Sequence, residues 1–352
     1  MDNAGWAFLR SAAEFGGLTT IVGSGILSDR LGARRMSALA LSCAAMAMAG
    51  LAAQIATLWL MMILGAFTST VYVSFNTLAQ SVSSQRQSLA NAIYRAAGAF
   101  ATVLAPVIAT QAGRATGDYA SVLWAGSLVL AISAGLILCY PEQVRPVPSR
   151  SLKQLLGAYG RGFTMRPLLA FIVLTRGFGA ALAAVSAFAA LRFTRELSLS
   201  EPDFGALRSS VAVASLLAVL GSGWIVDRLR PSRTLAIAWF GCGLASLVMG
   251  LSDSLRVTVI AYAIYAPLLT TCSVPLSLWA SHIAERDGAE GPGQTAVFTV
   301  AKVFQSGITM LSMALLGVLE PLLGMTTLMW CGGLLALPFA LGIMRLGVAQ
   351  KI

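Results

Sequence analysis

Six ionisable side chains interrupt the long apolar segments of this 352-residue chain. A charge inside hydrocarbon costs about 3 kcal/mol or more unless it is paired or hydrated, so each of these residues is a candidate for binding a charged ligand or a proton. They comprise one acid and five bases: Glu14, Arg10, Arg95, Arg176, Arg208 and Lys302. The excess of bases favours an anionic ligand, and the single carboxyl group is a candidate proton carrier.

Arg176 is the base placed closest to mid-membrane. It lies nine residues into the apolar segment 167–191, about 14 Å from the start of that helix, in a hydrocarbon core about 30 Å thick. A side chain at this depth cannot easily reach water, so we predict that Arg176 binds an anion; pairing with a backbone carbonyl or with Glu14 is the alternative. Arg95 and Lys302 lie in the inner thirds of their helices, where they could line a vestibule or reach lipid head groups.

Glu14 lies 15 residues, or about 22 Å along a helix, before Asp29. This depth favours a proton-coupling role for the carboxyl group. The alternative is an ion pair with Arg10, which lies one helical turn earlier. Arg10 and Arg208 are placed close to the outer membrane surface, and we expect their long side chains to reach water there.

The composition is that of a protein that crosses a membrane many times. Hydrophobic residues make up 57% of the chain, charged residues 11%, and the mean hydropathy is +0.79. Lipid leaves unpaired backbone groups unsolvated, and the apolar segments lack the period-two alternation of a barrel, so we predict an all-α membrane fold. Eleven spans are predicted, at 4–27, 36–54, 57–80, 89–112, 119–140, 167–191, 203–226, 234–252, 255–282, 294–319 and 324–346.

The net charge of +10 arises from short basic loops between the spans. Fifteen Lys and Arg residues lie in loops on one side and four on the other, which places the first side in the cytoplasm. We therefore predict a multi-pass protein of the plasma membrane, of the bacterial inner-membrane type, with a cytoplasmic carboxyl terminus. Membrane lipids are expected partners. Nucleic acid is not, because the bases form no continuous stripe.

The longest connection, residues 141–166, separates an N-terminal bundle at 1–140 from a C-terminal bundle at 167–352. This connection is rich in Pro and in basic residues, and part of it has the pattern of an amphipathic helix. Its apolar residues recur at helical spacing: Leu152, Leu155, Leu156, Tyr159 and Phe163. We predict a helix on the inner membrane surface; a solvated linker is the alternative.

A segment near the start of the chain recurs 198 residues later. Residues 8–35 and 206–233 share 11 identities in 28 aligned positions, which indicates a duplicated architecture. The helix at 167 begins 60 residues before Asp227, so its counterpart would begin about 31 residues upstream of Met1. We therefore expect that the sequence lacks one helix, through a misplaced start codon, a truncated gene or a shortened product.

The stretch from Gly25 to Arg35 closely resembles the signature loop of the major facilitator superfamily, G-x-L-x-D-R-x-G-R-[RK], between its second and third helices. A weaker copy from Gly223 to Arg233 stands where that family repeats the loop. The resemblance covers the whole chain and implies two bundles of six helices, here five plus six, related by a pseudo-two-fold axis. It implies secondary transport of a small organic solute by alternating access, and we expect a monomer.

The resemblance also implies that the loop is a gate that stabilises the outward-facing state. Gly25 permits close helix approach, and the Asp29 carboxylate can bond the amino terminus of a facing helix. The implied gating residues are Gly25, Asp29, Arg30, Arg35, Asp227 and Arg228. For Arg34 and Arg35, simple anchoring at the cytoplasmic surface is the alternative.

By the same resemblance, the fourth, seventh and tenth helices line a central cavity. The predicted substrate-binding residues are Arg176, Asn76, Tyr72 and Tyr265, and the predicted proton-coupling residue is Glu14. Interface anchoring is the alternative for the tyrosines. No cofactor or metal is expected, because the five cysteines have no metal-like spacing and the single histidine, His282, stands alone.

The alternative to a transporter is a protein that keeps the fold but moves no solute. A membrane scaffold would keep the fold without moving cargo, and a truncated, inactive fragment would fit the missing helix. An enzyme is not expected, because no nucleophile, base and orienting group converge in one region of the sequence.

Overall fold

A computed structural model describes residues 3–80, 92, 95–96, 120–139, 152–286 and 294–350 of the chain. All regular structure in these ranges is helical. The helices are α1 Asn3–Leu31, α2 Ala33–Ala52, α3 Thr57–Gln80, α4 Ala120–Cys139, α5 Leu152–Thr164, α6 Arg166–Ala181, α7 Ala183–Leu191, α8 Glu201–Leu229, α9 Pro231–Leu251, α10 Leu255–Thr271, α11 Ser273–Arg286, α12 Gln294–Leu323 and α13 Met325–Gln350.

The predicted all-α membrane fold is confirmed. Within the described ranges, nine helical stretches are long and apolar enough to cross a membrane. α1 is less apolar than these because Glu14 and many Gly, Ser and Thr residues lower its hydropathy, but its 29 residues are long enough to span. The predicted span at 89–112 lies outside the described residues except for Ala92, Arg95 and Ala96.

Two of the predicted spans contain breaks. The segment 167–191 consists of α6 and α7, and a π-helical turn, Arg192–Glu196, follows it. The segment 255–282 consists of α10 and α11, which separate at Cys272. Pro275 explains this second break, because it has no N–H to donate to Thr271 and its ring would clash with that carbonyl group.

The chain divides into two compact units. The first unit contains Met1–Gln85, Gln111–Leu169 and Ala280–Met310. The second unit contains Arg86–Thr110, Ala170–Trp279 and Leu311–Ile352. The division of the chain at 141–166 into two bundles stays a prediction.

The first unit is organised around α1, α2 and α3. α1 packs on α3, and α2 packs on both α3 and α4. Glycines bring α1 and α3 together: a Cβ atom at Gly16 would overlap the backbone carbonyl of Met62, and one at Gly65 would overlap that of Ala13. Small residues allow this close approach where lipid gives no hydrophobic drive for helix association.

The second unit is organised around α9, which packs against α10 and α13, while α8 packs against α10. Its interior contains large aromatic side chains that are fully buried. Trp239 stacks on Phe178 with ring centroids 4.3 Å apart, and Trp279 meets Phe171 at 5.4 Å. These contacts hold α6, which carries Arg176, against the rest of the unit.

The predicted amphipathic helix is present as α5, and it packs into the first unit. Leu155, Ala158 and Tyr159 are buried there, whereas Leu156 is 51% exposed. The i, i+3, i+4 spacing of the buried residues defines the face that contacts the protein.

Candidate functional site

A buried ion pair lies inside the first unit. The Lys302 ammonium nitrogen in α12 lies 3.9 Å from Oε2 of Glu14 in α1. The same nitrogen lies 5.6 Å from the ring centroid of Tyr72 in α3, within the range of a cation–π contact. Lys302 is 9% exposed, and the Glu14 side chain is 22% exposed. Three helices therefore converge on one acid and one base inside predicted membrane spans.

Local packing explains why these groups meet. Gly16 and Gly17 follow Glu14 within one turn, and the Cβ positions of both glycines are taken up by α3. Contact this close sets the carboxyl-bearing turn of α1 directly against the helix that carries Tyr72. Oε2 of Glu14 is buried and accepts no hydrogen bond from the described part of the chain. Such a carboxylate depends on its nearby counter-ion for stability.

This geometry answers two questions left by the sequence. Lys302 does not reach the lipid head groups, since it is buried beside Glu14. Among the described side chains, Lys302 is the ionic partner of Glu14; the side chain of Arg10, the other candidate, lies outside the described residues. The pairing was not predicted, because 288 residues separate the two groups in the sequence.

A second cluster in the first unit surrounds the predicted gate. The Tyr159 hydroxyl of α5 donates a hydrogen bond of 3.1 Å to Oδ2 of Asp29. A Cβ atom at Gly25 would lie 2.5 Å from the Thr299 hydroxyl oxygen of α12 and 2.7 Å from that of Tyr159. Gly25 is therefore the point at which α1, α5 and α12 touch. The roles of Gly25 and Asp29 in gating stay predictions.

Tyr159 is held in its protonated form. Burial, and then the negative charge of Asp29 and the hydrogen bond with it, raise the pKa of the Tyr159 hydroxyl above its ordinary value. A neutral phenol can donate to the carboxylate, whereas a phenolate would repel it. The hydrogen bond therefore persists over the whole physiological pH range.

The other predicted gating residues are at the protein surface. Arg30 and Arg35 are exposed beside Asp29, as expected for either gating or anchoring. In the second unit, Asp227 and Arg228 are exposed, and the Arg228 guanidinium lies 3.8 Å from the ring centroid of Trp224. In the second copy of the signature loop, Arg228 thus stacks on a tryptophan of its own helix, α8.

The predicted substrate-binding residues are distributed over both units. In the first, Asn76 is fully buried and its side-chain nitrogen donates to the Tyr72 carbonyl at 2.6 Å. In the second, Tyr265 is 4% exposed and Arg176 is half-buried. Their roles as solute contacts stay predictions.

The two glycines next to Arg176 in α6, Gly177 and Gly179, have different surroundings. A Cβ atom at Gly177 would overlap the Phe339 ring of α13, so this glycine serves helix packing. Gly179 does face open space, with no heavy atom within 4 Å of its Cβ position. Of the two glycines, Gly179 is therefore the one with open space beside it.

Arg192, one of the four basic residues counted on the outer side, is a structural residue. Its side chain is 1% exposed, pairs with Glu196 and donates a 2.6 Å hydrogen bond to the Ser252 carbonyl. The guanidinium thus joins the end of α7 to the turn between α9 and α10. A hydrophobic run that ends at an Arg gives no signal that the Arg will fold back into the protein.

The helices define a polytopic α-helical membrane protein. The chain belongs to the major facilitator superfamily, whose family model matches residues 2–301. No curated protein sequence matches the chain significantly.

Solved structures with this fold include three transporters. The human organic anion transporter MFSD10 (TETRAN) is 16% identical, with a TM-score of 0.76 over 96% of this chain and 83% of that chain. The E. coli fucose:proton symporter is 14% identical, with a TM-score of 0.73 over 98% and 90%. The proton:xylose symporter XylE is 13% identical, with a TM-score of 0.75 over 96% and 85%. At these identities the similarity establishes the fold.

Proposed function

We propose that this protein is a secondary transporter that moves a small organic anion by alternating access, coupled to protons through Glu14. The buried Glu14–Lys302 pair is the observation that carries the proposal. A buried ion pair contributes little net stability compared with apolar packing, so its presence at membrane depth calls for a functional reason. The similar structures include an organic anion transporter and two proton symporters.

The chemistry of the pair gives a coupling mechanism. In the empty protein, the Lys302 ammonium group neutralises the Glu14 carboxylate. An anionic solute that binds Lys302 takes over this cation, and Glu14 then loses its counter-ion in a medium of low dielectric. The carboxylate regains neutrality by binding a proton. Solute and proton therefore enter together and leave together, and the Glu14–Lys302 pair forms again.

The remaining assignments belong to the same proposal. Asp29, with Tyr159 as its hydrogen-bond donor, contributes to the cytoplasmic gate. Tyr72 stabilises the Lys302 cation through its ring, and Arg176 stays a predicted anion-binding residue of the second unit in its own right. The protein would work as a monomer in the plasma membrane.

Transport by purified protein in liposomes tests the proposal. The cargo is searched among radiolabelled mono- and dicarboxylates, with xylose as a neutral comparison and protein-free liposomes as the blank. We expect an acid-outside pH gradient to drive accumulation of a carboxylate. E14Q should abolish this accumulation while leaving solute exchange at equal pH, because the amide cannot release a proton.

E320Q is the matched control, since it makes the same change in a half-buried residue at the other end of α12. It should accumulate solute like the natural protein. Accumulation by E14Q at the natural level would remove Glu14 from the mechanism. Exchange of xylose but of no carboxylate would contradict the proposal that the transported solute is an anion.

A further inference from the structure

A cavity of about 160 Å³ lies in the second unit between α8 and α10. Two stripes of side chains line it. One stripe contains Arg208, Val211, Ala212 and Ser215 of α8, and the other contains Tyr262, Ala266 and Thr270 of α10. The spacing of both stripes, three or four residues at each step, means that the cavity follows the two helices for about 10 Å.

The two ends of this cavity differ in chemistry. Arg208 and Tyr262 each lie seven residues from the start of their helices, at the end predicted to face outside. Ser215 and Thr270 lie at the deeper end. Their hydroxyl groups donate to the carbonyls of Val211 at 3.0 Å and Ala266 at 2.7 Å. The deep end therefore offers no free hydroxyl hydrogen to an anion, whereas the outer end carries a cation and a phenol.

The sequence repeat explains why a cavity occurs here. In the first copy, Gly16 and Gly17 bring α1 against α3. The corresponding residues of α8 are Ala214, which is exposed, and Ser215, which lines the cavity. The Ser215 side chain takes the place of the second glycine and prevents the same close approach there, and the space between α8 and α10 remains.

The repeat also changes the charge. Arg10 and Glu14 of the first copy correspond to Arg208 and Ala212. The base is retained, but the acid one turn later is replaced by a methyl group that lines the cavity. Among the described acidic side chains, none forms an ion pair with Arg208. The cavity therefore has a positive charge at its outer end that no acidic side chain in the described ranges neutralises.

Aromatic contacts fix the position of Tyr262. Its ring meets Phe193 edge-on at 5.5 Å, and Phe204 lies 6.4 Å away. These contacts hold the phenol at the outer end of the cavity without using its hydroxyl group. A guanidinium with a rigidly held hydroxyl donor beside it suits a carboxylate.

We propose that this cavity is a binding site for a small monocarboxylate, which Arg208 and the Tyr262 hydroxyl hold by its carboxylate while its apolar body lies along Val211, Ala212 and Ala266. A cavity of about 150 Å³ accommodates one benzene molecule, so the volume suits an anion the size of benzoate. The site deepens the proposed function, on which it rests: an organic anion would be captured here, and its class would be small monocarboxylates.

Equilibrium binding tests the site without requiring transport. Radiolabelled benzoate is titrated onto the full chain in nanodiscs at pH 7.5, and unlabelled benzamide, its neutral analogue, is the competitor. We expect saturable benzoate binding that benzamide does not displace. R208Q should weaken it about ten- to hundredfold, R208K should restore part of it, and Y262F should weaken it about tenfold.

R256Q is the matched control. Arg256 is an exposed base near the start of α10 that does not line the cavity, so its removal should leave benzoate binding unchanged. Equal weakening by R208Q and R256Q would show that only the general positive charge matters and would overturn the site. Absence of saturable benzoate binding by the natural protein would overturn it as well.

Failure of the proposed function can be distinguished from failure of the proposed site. E14Q should bind benzoate in this cavity normally, because Glu14 lies in the other unit. Benzoate binding that depends on Arg208, together with unaltered proton-driven accumulation by E14Q, would keep the site and reject the coupling mechanism. If the natural protein does not bind benzoate and R208Q still accumulates carboxylate at the natural level, the proposed transport function stands and the proposed site is rejected.

Discussion

A hydrogen bond to a charged acceptor is among the stronger single contacts in a protein, and Tyr159 makes one to Asp29 at 3.1 Å. Y159F removes the donor and keeps the ring. We expect α5 to detach more often, with amide hydrogen exchange in residues 152–164 about tenfold faster, because such a bond contributes roughly 1.5 kcal/mol or more. Mass spectrometry of the exchanged peptides measures this change.

The control for this variant is Y262F, which makes the same change in the second unit and should leave exchange in α5 unaltered. The pH dependence has a definite sign. Because the pKa of Tyr159 is raised in the folded protein, the protonated phenol contributes to the free energy of unfolding. This contribution is complete below about pH 10 and is lost as the pH rises further. Exchange in Y159F equal to that of the natural protein would mean that the bond does not hold α5.

The predictable part of the site was set by local signals. Glu14, Arg176 and Lys302 stood out in the sequence because a charge within an apolar segment is conspicuous by itself. The contact of Glu14 with Lys302 and the bond from Tyr159 to Asp29 were not predictable, since both depend on which distant helices pack together. A single sequence shows the helical periodicity of each segment, but it does not show which other helix packs against each face.

At the scale of helices, the contact of α1 with α3 depends on glycine at the crossing point. G16A would drive a methyl group into the Met62 carbonyl and separate the two helices. Overpacking of this kind costs about 2 kcal/mol. We expect a lower unfolding temperature in detergent and, because Glu14 lies half a turn away, weaker proton-driven accumulation.

G23A is the control, since it lies in the same helix and its Cβ position has no heavy atom within 4 Å. Alanine favours helix over glycine by up to about 1 kcal/mol, so G23A should leave the unfolding temperature unchanged or raise it. A G16A protein as stable as G23A would show that α1 and α3 can move apart without loss.

The helices themselves were predicted closely because their apolar periodicity and breakers are local. The interruptions were not predicted. The break at Cys272 falls within the predicted span 255–282, and the π-helical turn at Arg192–Glu196 directly follows the predicted span 167–191. Arg192 could be recognised as an internal residue only once its contact with Ser252 was known.

At the scale of the whole molecule, the two copies of the repeat share one arrangement of helices but differ in the charged residues that these helices carry. In the first unit, glycines close the contact between α1 and α3 beside a neutralised acid and base. In the second, Ser215 replaces a glycine, and the cavity between α8 and α10 has an arginine that no described acidic side chain neutralises. Duplication provides two equivalent positions, and the substitutions between them fit the roles proposed above, proton coupling in the first unit and anion capture in the second.

The orientation of the molecule is testable on its own. The distribution of fifteen basic loop residues against four predicts that the carboxyl terminus after α13 is cytoplasmic. Green fluorescent protein fused there should fluoresce in a bacterial host, and alkaline phosphatase fused at the same place should be inactive, because it requires the oxidising periplasm. Phosphatase inserted between Leu197 and Ser200 should be active. The reverse pattern would invert the membrane orientation, and the cavity at Arg208 would then open to the cytoplasm and capture anions for export.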